Sequence, residues 1–329
     1  MNRRGWTIAL GGGAVFLVAV LLAALLVGLS REDERARTPE GAVRTYLTAL
    51  ADADAAAALG AVAGRPNPRF LTDGVLRQQR ADAPITGVEV SPARETGDET
   101  TVRARYRMGA HEVDPEIAVT RVANGWAVLD GAIEVRIDSL ALPRPTLFGG
   151  EVSAGDTVFL FPGPQRWGSR DTDFVGRLLG ENHPFGPRGP MTVRVVAELS
   201  DTGTTAVTDA VSAYLTRCAG ATRADAGSDR AGCTQRLFRS AVPGSVKWTA
   251  PRDLSGLRYL LRRTQPGSGP VGSEADLGVV DVAGPVRWRV AYTPSYDEDG
   301  PRVETTDEQY LVGRVDLTAD APDFVTDPD

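Results

Sequence analysis

Trp6 to Leu29, WTIALGGGAVFLVAVLLAALLVGL, is a run of 24 residues without a charge. A helix of that length extends about 36 Å at about 1.5 Å per residue, enough for a hydrocarbon core of about 30 Å. The reading is therefore a single-pass transmembrane helix, Trp6–Leu29, after a short cytoplasmic tail (residues 1–5) that carries Arg3 and Arg4. Arg31, Arg35 and Arg37 follow closely, but the short tail and the two cysteines favour an outward-facing bulk. A cleaved signal peptide remains the alternative, since it would share the basic start. Its apolar core would be shorter and followed by small residues, whereas this run ends LLVGLSRED. The lipid bilayer is the first expected partner, and the rest of the chain is expected outside the cytoplasm, in the cell envelope.

The remaining chain has room for two or three domains. Apolar residues make up 42% and charged residues 24%, as in an ordinary globular protein. The formal net charge is −7, so the chain lacks the basic footprint that nucleic acid requires. Lys247 is the only lysine.

Residues 30–37 form a charged connector. Thr38-Pro39-Glu40 then predicts a helix start, with Thr as N-cap and Pro at the first helical position. Val43, Tyr46, Leu47 and Leu50 follow at helical spacing. Asp52 or Asp54 can cap a short helix through 55–62. Strand patterns come next. In TVRARYRM, Val102, Ala104, Tyr106 and Met108 share one face and Arg103, Arg105 and Arg107 the other. Ile117–Val122 and Trp126–Leu129 flank Asn124-Gly125, a hairpin signal.

The segments TPEGAVRTYLTALADADAAAAL and VTRVANGWAVLD resemble those of the nuclear-transport-factor-two-like (cystatin-like) domains behind a membrane anchor in bacterial envelope proteins. The resemblance covers about residues 38–138. It implies a curled sheet packed on helices, sometimes enclosing a pocket. That family includes enzymes, binders and inert spacers, so the fold alone assigns no activity.

Residues 139–190 are dense in proline and glycine and read as a small β module containing Trp167 and Phe174. Residues 191–199 alternate as a strand. Ser200 or Asp201 caps a helix whose stripe is Val207, Ala210, Val211, Tyr214, Leu215 and Cys218. Strand candidates follow at 246–249, 257–261, 277–282, 286–292 and 310–317, with loops at 265–274 and 293–308. An acidic tail, 318–329, ends the chain. The expected fold class is α+β: the transmembrane helix, then two helix-plus-antiparallel-meander (cystatin-like) domains, 38–138 and 191–317, joined by the 139–190 module.

Cys218 and Cys233 are the two cysteines and read as a disulfide in an exported domain; two buried thiols and a redox pair are the alternatives. Their bond requires the chain to turn back after the helix, which Gly220, Gly227 and Gly232 permit, and it would stabilise by about 3 kcal/mol on chain-entropy grounds.

Several chemistries lack their residues. A Ser-x-x-Lys nucleophile fails because Gly244 stands three before Lys247. A phosphate-binding Gly-Lys-Ser/Thr loop fails because Val246 precedes that lysine and Trp248 follows it. The histidines, His111 and His183, form no zinc-ligand spacing. A calcium loop at 295–306 would need Asp and Glu where Ser295 and Thr306 stand. No cofactor or metal is expected. Tyr46, His111 and Asp130, with Asp114 and Glu116, are the candidates for a pocket in the first domain, where burial could tune a catalytic group. The expectation is a non-enzymatic, membrane-anchored extracytoplasmic protein acting through contacts with an envelope protein or the cell wall. The rivals are a ligand-binding or enzymatic pocket in 38–138, and a glycan-binding surface around Trp167.

Overall fold

The computed structural model describes residues 37–64, 66–96, 99–123, 125–180, 184–262 and 277–327. The Trp6–Leu29 stretch and the 265–274 loop lie outside these residues. No described helix is long and apolar enough to cross a membrane.

The described residues contain four α-helices: α1 (Pro39–Ala51), α2 (Ala55–Gly60), α3 (Asp73–Asp82) and α4 (Asp201–Cys218). Strands β1 (Ile85–Val90), β2 (Arg94–Thr96), β3 (Glu99–Met108), β4 (His111–Val113), β5 (Glu116–Val122), β6 (Gly125–Val128) and β7 (Ile133–Ala141) follow α3. Next come β8 (Pro145–Leu147), β9 (Gly150–Glu151), β10 (Thr157–Leu160), β11 (Trp167–Ser169), β12 (Phe174–Leu178) and β13 (Met191–Leu199). After α4 lie β14 (Lys247–Thr249), β15 (Arg258–Leu261), β16 (Val279–Tyr292), β17 (Val303–Asp316) and β18 (Phe324–Thr326).

This overturns the α+β expectation of two helix-plus-meander domains and a β module. The protein is mostly β, 41% strand against 20% helix, built as three curled sheets. Much of the strand content lies in polar or proline-interrupted sequence that does not announce itself by alternation. The chain forms two compact units, each assembled from three stretches. The first takes the chain through Asp138, then Gly155–Gln165 and Glu181–Val193; the second takes Ser139–Ala154, Arg166–Gly180 and the chain from Arg194. Residues 139–190 are thus divided between the units instead of forming a module of their own.

In the first unit, Thr38 caps α1 by accepting from the Gly41 amide at 3.0 Å, with Pro39 in the first turn. Asp54 caps α2 by accepting from Ala57 N. The buried face of α1 (Val43, Tyr46, Leu47, Leu50) shares a core with Val102, Ala104, Tyr106 and Met108 of β3 and Ile117 and Val119 of β5. The strand order is β1-β3-β5-β6, with β2 and β4 also on β3. Arg103, Arg105 and Arg107 face solvent, as the alternation requires. Strand β10 pairs with β7 from Thr157↔Arg136 to Leu160↔Ile133.

In the second unit, β9-β8-β11-β12-β13 follow one another as antiparallel neighbours. A separate antiparallel sheet runs β14-β16-β17-β18, with β15 also on β16. Its centre is the long ribbon of β16 and β17, in unbroken register from Val279↔Asp316 to Tyr292↔Val303. Strand β16 passes straight through Gly284-Pro285, where the sequence suggested a break. Strand β17 begins inside the expected 293–308 loop, and the expected tail contains β18, whose Phe324 is buried. The inner face of the sheet holds Trp288, packed edge-on against Trp248 at 5.6 Å, and Phe324, edge-on to Tyr214 of α4 at 4.8 Å. A disulfide joins Cys218 to Cys233 with the Cα atoms 5.6 Å apart, so the chain does turn back after α4.

Candidate interaction surface

The pocket candidates of the first unit do not converge. Tyr46 is fully buried, and its hydroxyl donates to the Gly131 carbonyl at 2.6 Å. Asp130, next to that carbonyl, is exposed in the turn before β7. His111 is exposed on β4, its ring stacked on Phe185 with centroids 4.2 Å apart. Tyr46, Leu47 and Tyr106 fill the core where a pocket would open. Trp167 and Phe174 are buried too, which removes the exposed aromatic pair that a glycan surface around Trp167 needs.

Asp114 is engaged in an ion pair. Its carboxylate accepts from Arg103 Nε at 2.8 Å and Nη2 at 2.7 Å, and from Arg105 at 3.3 Å. Hydrogen bonding to Arg103, joined by Arg105, holds its pKa at about 2 against an ordinary 3.8. A carboxylate depressed in this way adds stability above the ordinary value, and that contribution disappears as the pH falls through about 2. Replacing Arg103 with alanine is expected to return the Asp114 titration toward 3.8. An acid titration followed by the carboxyl NMR shift checks this, and an unmoved midpoint would refute it.

Sequence reading missed α3 and the two buried polar residues it carries. Gln79 Nε2 donates to the carbonyls of Phe161 (3.1 Å) and Pro164 (3.2 Å), and Arg80 Nη2 donates to that of Pro162 (2.9 Å). The helix thus clamps the loop after β10. A side chain at Gly163 would collide with both polar groups, and its φ of +147° also suits only glycine. Burial pushes Arg80 down to about 10, opposed by Tyr46 and Tyr106. Its Nε and Nη1 and the Gln79 Oε1 have no hydrogen-bond partner among the described residues. These groups hold a loop in place.

The outer face of the β14–β18 sheet is different. Alternation along β16 and β17 turns Val286, Trp288, Val290, Leu311 and Val315 inward. It turns Ala283, Pro285, Tyr310 and Val312 outward, paired across the ribbon as Ala283↔Val312 and Pro285↔Tyr310. Leu260 of β15 and Val325 of β18 flank this group. Leu260 is 63% exposed, Tyr310 69%, Val325 52% and Val312 45%. Asp281 and Arg314 stand between Leu260 and Val325 in one cross-strand row and pair with Arg262 at 2.8 Å and Asp327 at 3.4 Å, while Arg287–Glu308, at 2.7 Å, lies beyond Pro285 and Tyr310. Ala283, Pro285, Tyr310 and Val312 thus form a small apolar centre among charged pairs, the composition of a protein-binding patch. Beside it, Arg252, Asp253, Arg287, Arg289, Thr306 and Glu308 are among the residues that line a groove of about 650 Å³.

Comparison with protein-family models, curated proteins and solved structures finds no match.

Proposed function

We propose that the chain is a non-enzymatic, membrane-held extracytoplasmic protein that binds a protein of the cell envelope through the outer face of its second unit. The observation that carries this reading is the exposed apolar pair Tyr310 and Val312, flanked by exposed Leu260 and Val325, on a sheet whose other face is a packed core. The uncharged Trp6–Leu29 stretch supports attachment to a membrane, and the Cys218–Cys233 disulfide supports an oxidising compartment.

A photo-crosslinking residue at Val312, in the full chain expressed in its own cells, tests this. Val175 is the comparison site, because it is equally exposed, at 45%, and lies on another sheet. A discrete adduct with a second protein is expected from position 312, absent from position 175 and lost on Leu260→Asp. The same adducts from both positions, or an adduct made only of two copies of this chain, would overturn the reading.

A further inference from the structure

Strand β17 is paired along its whole length on the β16 side. On the other side β18 covers only Gly313, Arg314 and Val315. The direction of the free backbone groups follows from one hydrogen bond: the Val312 carbonyl accepts from the Asp327 amide at 3.4 Å and therefore points toward the β18 side. In an antiparallel strand the N–H and C=O of a residue point the same way, and alternate residues share that direction. The register has no break between Val303 and Asp316. Glu304, Thr306, Glu308 and Tyr310 therefore aim their backbone donors and acceptors away from β16. Among the described residues these groups have no backbone partner.

A groove of about 740 Å³ lies beside the Glu308–Tyr310 end of this open edge. Glu308 and Tyr310 form its strand side, and Asp225, Ser228, Arg236 and Phe238 its other wall. That wall is fixed in place: Gln309 Nε2 donates to the Arg236 carbonyl at 2.7 Å, the Arg236 amide donates to Gln309 Oε1 at 3.1 Å, and Cys233 is tied to Cys218. Phe238, 85% exposed, lines the groove together with Tyr310. A groove built in advance lowers the ordering cost of binding. Residues 303–310 carry three carboxylates, Glu304, Asp307 and Glu308, and no basic residue; Glu308 is paired with Arg287 across the ribbon and Asp307 accepts from Gln309 at 2.7 Å. Pairing this edge with the same edge of a second copy would set carboxylates against carboxylates, which destabilises a sheet.

We propose that the β17 edge between Glu304 and Tyr310 takes an extended segment of a partner protein as an added strand, with lysine or arginine at alternate positions. This deepens the contact reading above and rests on it. Backbone groups of β17 supply the hydrogen bonds, and the carboxylates select the charge of the segment. Phe238 and Tyr310 grip its apolar positions.

The test uses the full chain in detergent and a fluorescein-labelled eight-residue peptide that alternates lysine with valine. Two further peptides are a glutamate-for-lysine version and a version N-methylated at alternate residues. The lysine peptide is expected to bind at least tenfold more tightly than either. Thr306→Pro removes a backbone donor aimed at the peptide and no bond to β16, so it should weaken binding at least tenfold. Glu304→Lys should lower the preference for lysine over glutamate, and it keeps the test decisive if the proline variant fails to fold. Equal binding of the N-methylated peptide, equal binding of the glutamate peptide, or no binding at all would overturn the proposal. No peptide binding together with an intact position-312 adduct removes the edge assignment alone. Loss of that adduct's site dependence removes the contact reading itself.

Discussion

Replacing Trp288 with alanine is expected to destabilise the second unit by about 3–5 kcal/mol, the range for deleting a large buried aromatic. Trp288 is among the largest fully buried side chains, at 2% exposure. It lies in the middle of β16, where β17 covers one side and the inner core covers its ring. Its loss also removes the edge-to-face contact with Trp248, worth about 0.5–1.5 kcal/mol beyond area burial. Trp248 in turn donates from Nε1 to the Arg223 carbonyl at 3.1 Å, so the cavity opens beside the loop that the disulfide closes. Denaturant unfolding followed by circular dichroism measures the change. A loss below about 1 kcal/mol would mean that the loop collapses into the space, since the cost depends on how far a site can relax. Trp288→Phe should cost less than the alanine variant because a ring remains.

The second large effect belongs to the first unit. Tyr46→Ala should cost about 3–5 kcal/mol as a buried aromatic truncation. Tyr46→Phe separates the hydroxyl from the ring: it leaves the Gly131 carbonyl without its donor, for which about 1–3 kcal/mol is expected. The pair also has a pH signature. Burial raises the Tyr46 pKa well above 10, so the folded chain keeps a proton that the unfolded chain loses near pH 10. That contribution is complete below pH 10 and lost as the pH rises above it. Arg80 works in the opposite sense, because its pKa is lowered to about 10 and the unfolded chain keeps that proton longer. Tyr46→Phe should therefore flatten the alkaline loss of stability. An alkaline slope identical to that of the parent chain would refute the assignment to Tyr46.

Legibility in the sequence followed the strength of each local signal. Helix α1 could be read because Thr38, Pro39 and a clean apolar stripe agree. Helix α4 could be read from its Ser200 cap and its Val207–Cys218 stripe. Helix α3, DGVLRQQRAD, was missed because two of its buried residues are Gln79 and Arg80, so its inner face carries little apolar periodicity. The first half of β17, VETTDEQY, reads as a loop because its outward and inward residues are both polar. Pro285 splits β16 in sequence but not in structure. It lies opposite Tyr310 in a pair that exchanges no backbone bonds, and on its other side β15 has ended and β14 has not begun. The missing amide hydrogen costs no ladder bond there. Tyr310 and Val312 could be assigned to a strand from the sequence, but which face the protein leaves bare depends on partners distant in the chain.

The three-part construction of each compact unit has a consequence for inheritance. No contiguous stretch of the gene encodes either unit alone, because the assignment of the chain changes at Ser139, Gly155, Arg166, Glu181 and Arg194. A segment that holds all of the first unit must run to Val193, and it then also carries Ser139–Ala154 and Arg166–Gly180 of the second. No single cut of the chain therefore yields both units whole.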